Sequence, residues 1–320
     1  MCYNKTIRNK NLKLQYLQVV FNLHFLEKTY IDTNPLFVMR SMLGKNLRSM
    51  CCISKTSVCG QCLYNKTCVY SYIFETCLSP ENQTLPGRNK GSHPFSLSVE
   101  KLQRENPVDD YSFVLTLFGK AVDYLPYIYA AFVRAGQSGI FKARSQFEIL
   151  SVIANKKNLL IDQNHLDTVN TPPYICVVDN KETPQSGEIL IELKSPLRFK
   201  VQGKFTLDFT AQDFFNCLYR RAKTLFSLYG EISETEIEKK YVPSPSLKIT
   251  EKKLKWIDFK HYSARQKTQM ELGGIVGSFK IEGEFSEFEM GLLRMNRIAG
   301  AGKNTNFGLG QIDFWEKLKE

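Results

Sequence analysis

The chain has 320 residues, about twice the usual length of a single domain, and its 43% hydrophobic and 23% charged residues are typical of a folded globular protein. Its formal net charge of +11 favours a polyanionic partner, either nucleic acid or an acidic membrane surface. The composition argues against extensive disorder, and no apolar run approaches the ~18 residues of a membrane-spanning helix. We therefore expect a cytoplasmic protein without a membrane partner.

The positive charge is concentrated in two segments. Residues 1–60 hold nine Lys or Arg against two acidic residues, and residues 251–270 hold six against two. Clustering of this kind indicates a binding footprint for a polyanion, although a solvated lysine-rich surface has the same composition.

The first half of the chain predicts the element order β-α-β-β-α-β. Residues 36–50, for example, place Leu36, Met39, Leu43 and Leu47 at the spacing of a helix with one apolar face. The predicted elements are a strand over 12–25, a helix over 36–50, strands over 95–99 and 113–118, a helix over 122–135 and a strand over 146–154.

The second half predicts the same order again. Its elements are a strand over 189–201, a helix over 211–229, strands over 254–261 and 272–283, a helix over 286–298 and a strand over 309–315. Between the halves, a stretch rich in Pro, Asn and Asp predicts a linker. We therefore expect an N-terminal domain over 1–165, a linker over 166–188 and a C-terminal domain over 189–320.

A cysteine-rich segment over 51–77 interrupts the first unit. Five of the nine cysteines lie within residues 51–68, and four of them have the spacing C-x6-C-x2-C-x5-C. These four are Cys52, Cys59, Cys62 and Cys68. Thiolates this close in sequence predict a structural metal site, either zinc or an iron–sulfur cluster, and a set of buried free thiols is the alternative. The spacing resembles the cluster loop of endonuclease III-type DNA glycosylases, but those enzymes are helical, whereas this chain alternates β and α.

A glycine-rich segment follows the last predicted helix. Gly300, Gly302, Gly308 and Gly310 surround Lys303. Glycines let a backbone approach a ligand closely, and a lysine supplies charge to a phosphate, although such a segment is also typical of a turn. The spacing is neither that of a P-loop nor that of a dinucleotide-binding loop.

This glycine-rich segment, by its residues and its place after the last predicted helix, resembles the C-terminal glycine-rich signature of the RAMP superfamily of CRISPR proteins. The resemblance is strongest to the endoribonucleases of that superfamily that process precursor RNA. Further segments resemble the family in the same order along the chain. They are His93–Leu97, Leu115–Lys120, Ser195–Arg198, Trp256–Thr268 and Gly273–Gly277.

The resemblance implies an α+β fold of two tandem ferredoxin-like (RRM-like) domains, with the cysteine-rich metal-binding insertion in the first. It implies that a basic cleft binds CRISPR repeat RNA and cleaves it without a metal cofactor, by attack of a ribose 2′-hydroxyl on the adjacent phosphorus. The products are a cyclic phosphate and a 5′-hydroxyl. The alternative is a non-catalytic, repeat-binding subunit of a CRISPR effector complex, in contact with other effector subunits.

The reaction requires a general base, a general acid and cations. We expect His261 and Tyr262 to act in catalysis. Many members of the family carry their histidine on the first helix, but residues 36–50 contain none, so Lys45 is a substitute candidate for the base. His24, His93 and His165 are weaker candidates. The predicted RNA-binding residues are Arg40, Arg48, Ser263, Arg265, Lys267, Gly300, Gly302, Lys303, Phe307, Gly308 and Gly310. Arg220, Arg221 and Lys223 either contact phosphates or form a solvated helix face.

Overall fold

The computed structural model describes most of the chain. The described residues are 12–54, 58–78, 89–99, 106–163, 165–168, 171–178, 184–230, 241–263 and 268–318. Within these ranges, the side chains of 260–263, 268–271 and 318 are not described.

The described residues form four α-helices and fourteen strands. The helices are α1 (Pro35–Cys51), α2 (Leu125–Ser138), α3 (Ala211–Tyr229) and α4 (Glu287–Ala299). The strands are β1 (Leu12–Thr29), β2 (Phe95–Val99), β3 (Val108–Phe118), β4 (Phe147–Ala154), β5 (Lys157–Asn158), β6 (Leu160–Asp162), β7 (His165–Leu166), β8 (Tyr174–Val178), β9 (Gln185–Leu197), β10 (Lys248–Ile257), β11 (Lys260–Ser263), β12 (Thr268–Glu271), β13 (Gly274–Phe285) and β14 (Ile312–Leu318).

The first sheet is antiparallel and has the strand order β2-β3-β1-β4-β5. Its longest strand, β1, alternates along Leu17, Val19, Phe21 and Leu23, which are all buried beneath α1 and α2. Helix α1 begins where the sequence predicts because Asn34 accepts a hydrogen bond from the Leu36 backbone N–H.

The second sheet is antiparallel and has the strand order β10-β13-β9-β14. A separate hairpin, β11 with β12, lies between β10 and β13 in the chain. Capping boxes fix the starts of both helices, with Thr210 and Asp213 on α3 and Ser286 and Glu289 on α4. The element order β-α-β-β-α-β therefore occurs in both halves, as predicted, and the fold is α+β with antiparallel sheets.

The predicted linker over 166–188 differs from the structure. Strand β8 lies inside it, pairs with the first residues of β1 and packs against α4. Leu12 and Val178 consequently belong to the same hydrophobic core as the second sheet. Pro172 and Pro173 favoured a loop, but the β-branched residues that follow them form a strand that joins the two halves. In the part of the chain that the structure describes, no helix is long and apolar enough to cross a membrane.

Candidate functional site

The glycine-rich segment joins α4 to β14 as a tight loop. Gly300, Gly302, Gly308 and Gly310 all have positive φ, between 72° and 84°, which other residues rarely adopt. A Cβ on Gly310 would lie 1.9 Å from the Ala301 carbonyl oxygen. The glycines therefore determine the path of the loop.

Most N–H groups of these glycines are engaged within the protein. Gly300 donates to Asn296 at 2.8 Å, Gly308 to Thr305 at 3.0 Å and Gly310 to Pro196 at 2.9 Å. In this conformation these three N–H groups do not face a ligand, and the loop is not the open backbone cradle that the sequence suggests.

Helix α1 of the first half packs against this loop. The Phe307 ring meets Phe37 edge to face, with centroids 5.6 Å apart, and the Arg40 guanidinium lies 4.0 Å from the Phe307 centroid. A Cβ on Gly308 would lie 2.2 Å from a methyl carbon of Leu36. Phe307 is therefore part of the contact between the halves, and Arg40 lies at that contact as well.

Arg40 also reaches His93, with Arg40 Nη2 and His93 Nε2 3.2 Å apart. The His93 ring stacks on Phe95, with centroids 5.6 Å apart, and is partly buried. Burial, and then the positive charge of Arg40, lowers the pKa of His93 to about 3. The imidazole is therefore neutral, accepts the hydrogen bond from Arg40 at Nε2 and carries its proton on Nδ1. Nδ1 is buried and has no hydrogen-bond partner among the described residues.

Arg221 on α3 connects three parts of the chain. Its guanidinium donates to Ser92 Oγ at 2.6 Å, to Thr305 Oγ1 at 2.8 Å and to the Ala299 carbonyl at 3.3 Å. All three acceptors are neutral. Burial lowers the pKa of Arg221 to about 10, so the side chain keeps its positive charge at neutral pH. The hydroxyl of Tyr229 donates to the Ser92 carbonyl and holds the same segment from α3.

These residues surround a cavity of about 850 Å³. His93 and Arg221 lie in its wall, and the other cations that line it are Lys200, Arg220, Lys223 and Lys303. Asp213 is the one acidic residue among its described lining, and its carboxylate already accepts hydrogen bonds from Thr210. The cavity is therefore positively charged and suited to an anion. We refer to it as the basic cleft.

The structure places the predicted site residues in several regions. Gly302 and Lys303 line the basic cleft, and Arg40 contacts His93 in its wall. Lys45 is exposed in a separate groove of about 490 Å³, and Arg48 packs over the Tyr70 ring at 5.7 Å.

The hairpin segment holds the other predicted residues. The backbone at His261, Tyr262 and Ser263 forms β11, but their side chains are not described. Arg265 and Lys267 lie outside the described residues.

Two weaker histidine candidates lie outside the cleft in exposed hydrogen-bonded pairs. His24 is 2.8 Å from Asp110, and His165 is 2.8 Å from Asp162. His93 is the histidine that lines the basic cleft. In the sequence it precedes Pro94 at the start of a predicted strand, a position that does not indicate a place in a cleft. In the sequence, Arg220, Arg221 and Lys223 appear as a cluster of cations on the predicted helix over 211–229. Such a cluster fits a solvated helix face as well as a phosphate-binding site.

The four predicted metal ligands, Cys52, Cys59, Cys62 and Cys68, line one cavity of about 310 Å³. Within the described residues, however, no three His, Cys, Asp or Glu side chains form a group that could hold a metal ion. The predicted metal cluster is therefore not assembled in this structure.

Comparison with known proteins gives two family matches. Residues 191–312 match the model of the CRISPR-associated endoribonuclease Cas6, and residues 14–173 match the model AF_1859_N, described as an N-terminal domain. No curated protein sequence matches the chain significantly.

Solved structures share the fold. A Cas6 product complex has a TM-score of 0.55 at 12% identity, with 94% of this chain and 100% of that chain covered. A partial Cas6-RT-Cas1–Cas2 complex has a TM-score of 0.54 at 14% identity, with 96% of this chain and 46% of that chain covered. The second half of the chain, which includes the glycine-rich loop between α4 and β14, is therefore similar to the Cas6 endoribonucleases, and the chain as a whole shares the fold of the solved Cas6 structures.

Proposed function

We propose that the chain binds CRISPR repeat RNA and cleaves precursor transcripts into guide RNAs. The observation that carries this proposal is the basic cleft beside the glycine-rich loop, in a chain whose second half matches the Cas6 endoribonuclease model. The cleft has the charge that a phosphodiester backbone requires, and its walls come from both halves of the chain.

The cations of the cleft bind RNA phosphates in this proposal. Lys200 and Lys303 are exposed at its edge, and Arg220 and Lys223 follow along α3. Arg221 lies deeper, with only neutral hydrogen-bond partners, so a phosphate in the cleft meets its uncompensated charge. The glycines shape the loop that positions Lys303, while Phe307 and Arg40 hold that loop against α1.

Cleavage proceeds by attack of the ribose 2′-oxygen on the adjacent phosphorus. A general base removes the 2′-hydroxyl proton, and a general acid gives a proton to the departing 5′-oxygen, which leaves a cyclic phosphate and a 5′-hydroxyl. We assign these two roles to His261 and Tyr262, with Lys45 as the substitute base. Ser263, Arg265 and Lys267 on the same hairpin segment, together with Arg48, are assigned to RNA binding. Cations stabilise the additional negative charge of the transition state, so the reaction needs no metal ion.

A cleavage assay in EDTA tests this function. The purified chain is incubated with end-labelled repeat RNA and with the same RNA carrying a 2′-deoxyribose at the cut site. We expect the first RNA to be cut to a cyclic phosphate and the second to bind equally well without being cut. Cleavage of the 2′-deoxy RNA would contradict the 2′-hydroxyl mechanism, and cleavage only after addition of Mg²⁺ would contradict metal independence.

The assignment of His261 has its own test. Because general acid–base catalysis contributes about 10²–10⁴-fold, we expect His261→Ala to slow single-turnover cleavage by at least about 100-fold without weakening RNA binding. His165→Ala, at an exposed histidine paired with Asp162, is the matched control and keeps the normal rate. An unchanged rate in His261→Ala rules out His261 as the base but leaves the cleavage function intact.

One observation favours a second candidate, a repeat-binding subunit that does not cut. The histidine that the structure brings to the cleft is His93. Desolvation and the charge of Arg40 lower its pKa to about 3, so it is a poor general base at neutral pH. The described cleft therefore holds groups that bind phosphate but no evident acid–base pair. Tight binding of repeat RNA without any product in the EDTA assay supports this candidate.

We also propose that the chain consists of two ferredoxin-like domains. The two antiparallel sheets, each with a β-α-β-β-α-β order, support two ferredoxin-like domains with the cysteine-rich insertion at 51–77 in the first. Other CRISPR proteins are proposed partners, since one structural neighbour is a Cas6-RT-Cas1–Cas2 complex.

A further inference from the structure

The cavity in the cysteine-rich segment is lined by a concentration of thiols. Cys51 joins the four cysteines of the C-x6-C-x2-C-x5-C spacing, so that five cysteines border about 310 Å³. None of the described residues that line this cavity is His, Asp or Glu. Its chemistry therefore suits a thiophilic ion rather than a hard cation such as Mg²⁺.

The chain around this cavity has few features that hold it in place. Leu63 is 96% exposed and Ile53 is 80% exposed, although both are apolar. The backbone is held by local turns, in which Cys62 donates to Cys59 at 3.1 Å and Cys68 donates to Tyr64 at 2.9 Å. Cys59 and Cys68 pack, only partly buried, against the edge of the first hydrophobic core. A short loop of this kind, with exposed apolar residues, is the kind of segment that a structural metal stabilises.

The four cysteines enter the cavity lining from different parts of the loop. Cys59 begins the 3₁₀ turn Cys59–Gln61, and Cys62 directly follows that turn. Cys52 caps the end of α1, and Cys68 ends the turn that leads to the π-helical segment Ser71–Glu75. The cavity lining therefore includes two cysteines from the middle of the loop and one from each end.

We propose that Cys52, Cys59, Cys62 and Cys68 bind one thiolate-ligated metal centre, zinc or an iron–sulfur cluster, in this cavity. Each thiol releases a proton on binding, and the four thiolates then close around the metal. Among the described residues no three of them form a group that could hold a metal ion, so binding has to draw the four thiolates together. The proposal stands whether or not the chain cuts RNA.

Such a centre would fix two elements that form the wall of the basic cleft. The loop joins the end of α1 to the π-helical segment, and Phe74 of that segment packs on His93 with centroids 5.7 Å apart. The Arg40 guanidinium of α1 lies 5.4 Å from the same Phe74 ring. A metal that holds these two elements together therefore stabilises the arrangement of Arg40 and His93.

The metal content of the full-length chain tests the proposal. The protein is expressed with both zinc and iron supplied and is purified without oxygen, and its metals are measured by mass spectrometry. We expect close to one zinc ion per chain, or iron with sulfide and a visible absorbance, and thiols that become reactive only after the metal is displaced. If all thiols react freely and neither metal exceeds about a tenth of an ion per chain, the proposal is wrong.

Variants identify the ligands. We expect the double variant Cys59→Ser with Cys62→Ser to lose at least tenfold in bound metal. Cys176→Ser, at a buried cysteine of β8 outside the cavity, is the matched control and retains the wild-type metal content. Wild-type metal content in the double variant would place the ligands elsewhere. If the double variant is insoluble, the metal content and thiol protection of the wild-type chain decide the question.

Discussion

The basic cleft and the cysteine-lined cavity are both connected to α1, but they are held in different ways. In the cleft, Arg221 and Tyr229 of α3 bind Ser92 of the first half, and Arg221 also binds Thr305 of the glycine-rich loop. These contacts link residues that are far apart in the chain. In the cavity, the backbone hydrogen bonds around Cys59 and Cys68 link residues only three or four positions apart.

The difference indicates two kinds of binding site. A site whose charged groups are fixed before the ligand arrives loses little entropy on binding, and the basic cleft is of this kind. A site whose backbone is held mainly by local turns gains much of its order from the ligand, as small metal-binding loops do. Substitution of Arg221, which links the parts of the cleft, should therefore reduce stability without any ligand, whereas substitutions of the cavity cysteines should matter only when metal is bound.

The largest effect is expected at Arg221. We expect Arg221→Met to lower the free energy of unfolding by about 4 kcal/mol, because hydrogen bonds to a charged group contribute about 1.5–3 kcal/mol each and removing the buried charge offsets part of their loss. Urea denaturation measures the change. Arg220→Met, at the neighbouring exposed arginine, is the control and should change stability by less than about 0.5 kcal/mol. Equal effects of the two substitutions would contradict the linking role of Arg221.

The next effect concerns the path of the glycine-rich loop. We expect Gly310→Ala to destabilise the protein by about 3 kcal/mol, because a left-handed residue costs ~1–2 kcal/mol and the clash with the Ala301 carbonyl adds a similar amount. Gly203→Ala is the matched control, since its φ is +82° but nothing lies within 4 Å of the added Cβ. Its cost should be about 1 kcal/mol. Thermal unfolding of both variants measures the difference, and equal losses would show that the contact with Ala301 is unimportant.

Sequence patterns predicted most of the fold. Helix α3 begins and ends as predicted, because an amphipathic spacing follows a Thr210–Asp213 capping box. Strand β8 was missed because its pairing with β1 links residues about 160 positions apart, and the prolines before it favoured a loop. Local patterns indicate an element, but they do not show which distant strand will cover it.

The candidate site was predicted less completely, for a physical reason. The glycines and Lys303 could be found because a loop motif is local. Arg221 binds Ser92 across 129 positions, and Arg40 reaches His93 across 53, so neither pairing leaves a spacing pattern in the sequence. The cysteine spacing is local as well, but spacing alone did not decide whether the thiols converge.

A smaller effect is the pH dependence that His93 gives to stability. Its pKa falls from 6.5 to about 3 on folding, so below pH 6.5 the unfolded chain binds a proton that the folded chain does not. His93 therefore leaves the free energy of unfolding unchanged above pH 6.5. As the pH falls from 6.5 towards 3, it lowers the free energy of unfolding by up to about 1.4 kcal/mol per pH unit. Urea denaturation at several pH values should therefore give a shallower slope for His93→Gln than for the wild type. His165→Gln, at an exposed histidine, is the control, and equal slopes in all three proteins would contradict the neutral state of His93.

The smallest effect is expected in the cavity when no metal is present. In chelator-treated protein, Cys62→Ser should change the free energy of unfolding by less than about 0.5 kcal/mol, because the thiol is only partly buried and is one of five around an unfilled space. After zinc is restored, the wild type should become more stable and the variant should not, since a ligand that binds only the folded state stabilises it by mass action. Urea denaturation with and without zinc measures both differences. If Cys62→Ser destabilised the metal-free protein as strongly as Arg221→Met, the cavity would be as firmly organised as the cleft, and the contrast between a preorganised site and one completed by its ligand would fail.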